Sequence, residues 1–155
     1  MMMHAGHPMR GAGHVAGDAI MCEFIGYMLK RAYLGPHQAA SALLQDHGLK
    51  VRSFSVLSVV FSNPGISSSE LAKVLRMERS NLVPILDLLE TRGLIERTRM
   101  TTDRRRYAIT TTARGRRLRD IAARALRKQD DHLLVRLSAE ERAQLFCLLA
   151  KIVPG

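Results

Sequence analysis

MERSNLVPILDLLETRGLIERTRMTTDRRRYAITTTARG, residues 77–115, is the stretch whose reading decides the fold. Leu82, Ile85, Leu86 and Leu89 fall at i, i+3, i+4 and i+7, so they share one apolar face of a helix. Gly93 ends that helix, because the residue just past a helix terminus enters the left-handed region, which glycine adopts without steric cost. Two strand-like runs follow, residues 94–97 and 107–110, and flank a polar loop holding Asp103-Arg104-Arg105-Arg106.

A helix with one polar face that leads straight into a basic hairpin predicts a mainly α fold with a small β wing, the winged helix-turn-helix. Such a helix fits the major groove of double-stranded DNA, and an arginine hairpin tip reaches the narrower groove beside it. Charge points the same way independently. The formal net charge is +10, and between Arg92 and Arg127 twelve arginines face three acids, in under a quarter of the length. Arginine outnumbers lysine nineteen to five, and its planar fork suits bidentate contacts with phosphate and guanine. A bare charge run is usually a solvated face. This one lies on and just after the predicted wing, which favours nucleic acid. No basic amphipathic stretch with an aromatic face accompanies it, so a membrane surface is not the expected partner.

A chain of 155 residues has the length of one domain with its own core. No apolar run approaches a bilayer span and no apolar leader block opens the chain, so the expected location is cytoplasmic. Cys22 and Cys147 are isolated, which suggests neither a disulfide framework nor a zinc knuckle. Residues 1–17 lack periodicity and are expected to form a flexible tail. Their histidines, His4, His7 and His14, have no carboxylate or cysteine beside them, so no metal site is expected there.

Residues 18–48 are expected to form an N-terminal dimerisation helix. Asp18 caps it, Ile20, Phe24, Ile25, Met28 and Leu34 mark its apolar side, and Gly35-Pro36 kinks or splits it. Residues 49–112 form the DNA-binding lobe. Within it, residues 51–63 have strand-like composition (VLSVVF) but helical spacing, and the spacing predicts a helix. Ser67-Ser68-Ser69-Glu70 is a capping box that opens a short helix through Leu75, and residues 79–92 form the second helix of the pair. Residues 113–155 hold two further dimerisation helices, the first capped by Thr112 and the second by the capping box Ser138–Glu141. Leu118, Ile121, Leu126, Leu133, Leu145 and Leu149 give these helices more apolar face than a small lobe covers, which predicts a homodimer.

Four segments in this order, NPGISSSELAKVL, NLVPILDLLETRGLIERT, DRRRYAITTTARGRRL and LSAEERAQLFCLL, resemble the MarR family of bacterial winged-helix transcription regulators over roughly residues 49–153. The resemblance implies a triangular homodimer on a pseudo-palindromic operator. It also implies a small ligand, often an aromatic acid or phenol, that sits between dimer helices and DNA lobe and releases the DNA. The chain departs from the family pattern at two places. Arg76 stands where members often have glycine in the turn, and Val83-Pro84 replaces a polar pair, commonly Thr-Arg, on the groove-facing side of the recognition helix.

Arg79, Ser80 and Asn81 occupy the first turn of that helix, where side chains and free N–H groups meet bases and phosphates. Asn81 suits adenine and Arg79 guanine or phosphate, while Ser80 and Asn81 also suit the bland role of satisfying the helix end. Val83 is placed against a thymine methyl, Pro84 beside it, and Ser67 and Ser68 on the same DNA side. In the wing, the resemblance makes Asp103 the brace of the hairpin and Arg105 the minor-groove arginine, leaving Arg104 and Arg106 for phosphate or solvent. Phe24, Tyr27, Met28, Arg31, Arg52 and Phe54 flank the expected effector cavity, with core packing as the competing role. Some family members use an early cysteine for redox sensing and hold it with tyrosines on the second helix. Val51-Arg52-Ser53-Phe54 offers none, so Cys22 is expected to be a buried structural thiol.

The function expected from this sequence is a ligand-responsive repressor released by a small aromatic or acidic effector or its coenzyme A thioester. The competing readings are an effector-independent architectural DNA-binding protein and a thiol sensor using Cys22. No nucleophile triad, phosphate-cradling glycine loop or metal triad is present, and His37, His47 and His132 are scattered, so neither an enzyme nor a cofactor is expected.

Overall fold

The computed structural model describes residues 20–99 and 107–152. Six helices occur there: α1 (Ile25–Asp46), α2 (Val51–Ser62), α3 (Ser68–Val74), α4 (Arg79–Thr91), α5 (Ala113–Leu133) and α6 (Ala139–Ile152). Strands β1 (Ile95–Arg99) and β2 (Tyr107–Thr111) lie between α4 and α5 in sequence. The chain divides into two units, Met1–Gly35 and Pro36–Gly155.

In the first unit a single 3-10 turn, Met21–Glu23, precedes α1, and Phe24 between them has an extended backbone (φ −96°, ψ 118°). That residue corrects the expected continuous helix from Asp18, which itself lies outside the described residues. Helix α1 then carries Pro36 inside it instead of splitting there. The proline ring leaves the Ala32 carbonyl without its usual helical donor, the condition for a local bend.

The second unit is organised around one core. Leu44 of α1, Val56, Leu57 and Val60 of α2, Leu71 of α3, Leu82, Leu86 and Leu89 of α4, and Ile109 of β2 are all buried. Each fully buried aliphatic side chain is worth about 1.5–3 kcal/mol, and α4 contributes three from the face its spacing predicts. Residues 51–62 are helical because Val56, Leu57 and Val60 reach this core together only at helical spacing. Ser67 and Glu70 cap α3 reciprocally, as predicted.

Between α3 and α4 the chain turns through Arg76, whose φ of +48° is left-handed. An arginine here takes a conformation that glycine serves best. At the end of α4, Gly93 (φ +62°) makes the predicted stop. The hairpin pairs antiparallel, Ile95 with Thr111 through Arg99 with Tyr107, and Ile109 also bridges to Ile66. A compact knot ties the hairpin to α5. The Thr112 hydroxyl donates to the Gly93 carbonyl (2.7 Å) and accepts from the Gly115 N–H (2.9 Å). Gly115 packs so closely that a Cβ there would stand 1.9 Å from the Leu94 carbonyl oxygen.

Ser138 and Glu141 cap α6 reciprocally (2.8 and 3.2 Å), yet α6 buries no residue, and its Phe146 is 66% exposed. Of the six residues expected at the dimer interface, Ile121 (44% exposed) and Leu133 stand open, and Leu145 and Leu149 are half-buried. Leu118 and Leu126 are partly buried and pack against the lobe core. Among the described residues no helix is long and apolar enough to cross a membrane.

Candidate nucleic-acid interface

Helix α4 presents Arg79, Ser80, Asn81, Val83 and Pro84 to solvent, opposite its buried leucines. Its N-cap, Glu78, makes no side-chain capping bond, so the first-turn N–H groups lack a side-chain cap. Arg79 is held in place by Ser69 of α3, whose hydroxyl accepts from Nη2 at 2.6 Å. The sequence reading missed Ser69 because the pair is ten residues apart and only the turn geometry brings it together. Ser68 is exposed beside it. Ser67 is a correction. It is 4% exposed, and its N–H and hydroxyl both serve the α3 capping box, so it is not available to DNA.

The wing divides into a described stem and a tip, residues 100–106, that lies outside the described residues, together with Asp103, Arg104, Arg105 and Arg106. At the stem Arg99 donates from Nε to the Tyr107 hydroxyl (3.2 Å), and its guanidinium lies 5.9 Å from the ring centroid. Deeper in the stem, Arg97 reaches two acids of α4. Its Nε donates to Glu90 (2.8 Å) and its Nη2 to Asp87 (2.8 Å) and again to Glu90. Hydrogen bonding to Arg97 holds the Glu90 carboxyl below its ordinary range, and the same bond raises Arg97. This network clamps β1 onto the recognition helix. Its signal in the sequence was the pair of acids three residues apart on the polar face of α4.

The basic run is thus not all free to meet DNA. Arg92 donates to the Gly48 carbonyl, and Arg119 stacks over Phe61 at 4.5 Å and pairs with Asp120 at 2.8 Å. Arg97 is clamped, and Arg116 donates to the Thr111 carbonyl (2.9 Å), so several of the described arginines in the run make contacts within the lobe. Arg114 and Arg117 are exposed at the start of α5.

A cleft of about 830 Å³ opens behind the recognition helix. Its walls are His37, Ser41 and Gln45 of α1, residues 48–53, and Ser80, Asn81, Pro84 and Ile85 of α4, with no acidic residue among them. Lys50 and Arg52 supply cations, and Lys50, the N-cap of α2, makes no side-chain capping bond. Ser53 is 3% exposed and lines the same wall. The volume and mixed lining suit a small organic anion. Arg52 lines this cleft, whereas Phe54 is partly buried against the lobe core. Phe24, Tyr27, Met28 and Arg31 belong to the first unit, where the Arg31 guanidinium lies 5.9 Å from the Tyr27 ring and 3.6 Å from the Cys22 sulfur. Cys22 is half-buried, not the fully buried thiol expected. Among the described residues no cluster of His, Cys, Asp and Glu is placed to hold a metal, and His4, His7 and His14 lie outside them.

The model of the MarR family matches residues 49–107, the span from α2 to the start of β2. A protein of Thauera aromatica assigned to regulation of the hcr operon is 31% identical over 153 residues, 98% of this chain and 92% of that one. The chain belongs to the MarR family.

The structure of the transcriptional repressor CouR bound to a 23-mer DNA duplex has a TM-score of 0.82 with this chain. The two are 33% identical, and the match covers 92% of this chain and 100% of that one. The repressor Rv2887 of Mycobacterium tuberculosis is 31% identical over 128 residues, 83% of this chain and 92% of its own. Its complex with p-aminosalicylic acid has a TM-score of 0.69 at 30% identity, covering 84% of this chain and 99% of that one. This MarR-family chain is accordingly a winged-helix transcriptional regulator.

Proposed function

We propose that the protein is a cytoplasmic, homodimeric repressor that an aromatic acid, or its coenzyme A thioester, releases from a pseudo-palindromic operator. One observation carries this reading. The acid-free cleft shares Ser80, Asn81 and Pro84 with the DNA-facing start of the recognition helix. A ligand in that cleft touches the groups that meet DNA, so it need not act through a distant relay. Solved complexes of Rv2887 with DNA and with salicylic acid support the pairing of the two ligand classes in one family. In this chain Arg79 and Asn81 contact base edges or phosphates, Arg105 enters the minor groove, and Arg52 with Lys50 receives the effector's carboxylate.

Release requires only that the effector bind the DNA-free conformation better than the DNA-bound one, and that difference limits its effect. Fluorescence anisotropy with DNA flanking the protein's own gene, titrated with aromatic acids and their thioesters, tests this. Specific binding lost in the presence of one compound supports the repressor. Specific binding that no compound alters would favour the effector-independent reading.

A further inference from the structure

Pro84 is the sixth residue of α4, and it has no N–H to give to the carbonyl of Ser80, four residues before it. Residues four apart share a helix face, and both Ser80 and Pro84 line the cleft. The wall formed by the recognition helix therefore contains a carbonyl oxygen that lacks its helical donor. Across the cleft the chemistry is opposite. There the first N–H groups of α2 lack a side-chain cap, and buried Ser53 and the exposed Lys50 and Arg52 stand with them. The cleft thus pairs cationic groups near the start of α2 with a carbonyl on α4 that has no i+4 donor.

We propose that the Ser80 carbonyl, opened by Pro84, is the acceptor for a hydroxyl or amino group on the effector, and that this selects donor-bearing aromatic acids over unsubstituted ones. The proposal rests on the cleft being the effector site. It makes Pro84 a specificity-determining residue: the effector's donor replaces a helical bond that the recognition helix itself lacks. Binding then changes the first turns of that helix directly.

The test compares benzoate with 2-, 3- and 4-hydroxybenzoate by calorimetry, in the wild-type full chain and in Pro84→Ala. Alanine restores the N–H, so the Ser80 carbonyl regains its helical partner. In the wild type at least one hydroxybenzoate should bind about 3–10-fold more tightly than benzoate, the effect of one hydrogen bond. In Pro84→Ala that ratio should fall towards one, whatever happens to DNA affinity. An unchanged ratio, or no hydroxyl preference in the wild type, overturns the inference alone, provided the acids still release DNA. Thioesters that release DNA while none of the four acids binds at millimolar concentration also overturn it and leave the repressor reading standing. Failure of acids and thioesters alike to bind overturns both.

Discussion

At the scale of single residues, two positions carry testable consequences of different kinds. Gly115 sits in the first turn of α5 with no room for a methyl group, because the obstacle is the Leu94 carbonyl and not a movable side chain. Gly115→Ala must displace the α4–β1 corner or the start of α5. It should cost about 3 kcal/mol, at the upper end of overpacking effects, as urea denaturation would reveal. A variant as stable as wild type would mean that the corner yields freely. Asn81 is exposed at the start of α4, while the buried neighbour Leu82 secures the helix. If Asn81 reads a base edge, Asn81→Ala should lose about 1–3 kcal/mol on the operator and far less on random DNA. Equal losses on both would assign it to helix positioning.

At the scale of elements, Arg97 ties β1 to the recognition helix through Asp87 and Glu90. The Glu90 carboxyl is held below its ordinary range by Arg97. Its contribution to stability is therefore complete above the unfolded-state value of about 4.3 and disappears as pH falls through the lower folded value. Glu90→Gln should thus be less stable than wild type at pH 7, by under about 1 kcal/mol given the solvent exposure of the pair. The difference should vanish at strongly acidic pH. Thermal melts of both proteins from pH 7 downward check this, and a constant difference at every pH would show that Glu90 acts through packing. The capping boxes of α3 and α6, the Gly93 stop and the Thr112 cap were all legible in the sequence, since each depends on neighbours within a few residues. The clamp was not legible as such, because Arg97 meets Asp87 and Glu90 only once the chain has reversed at Gly93.

At the scale of the whole molecule, the open apolar side chains of α5 and α6 are the reason to expect a second copy. Ile121 and Phe146 are exposed, whereas Leu126 faces the core of its own lobe. Aspartate at Leu126 would therefore unfold the lobe and say nothing about assembly. Ile121→Asp or Phe146→Asp should leave the circular dichroism intact and yield monomers in sedimentation at micromolar concentration, with operator affinity lost alongside. In a dimer each lobe meets one half-site, and two-fold symmetry sets the recognition helices roughly 34 Å apart, one DNA turn. A monomeric wild type with full operator affinity would remove that requirement.

Local signals by themselves determined the order of helices, the hairpin, its caps and the face that α4 buries, because hydrophobic period and turn chemistry act over three or four residues. The family's fold followed from that order. Only the tertiary structure decided which polar groups remain available. It turned Ser67 inward, engaged Arg92, Arg97 and Arg119 within the lobe, and sent Leu118, Leu126 and Phe54 to the core. It also brought residues 37–53 against the start of α4 to make a cleft of one charge sign. Availability depends on what lies opposite in space, and that is set by contacts between residues tens of positions apart.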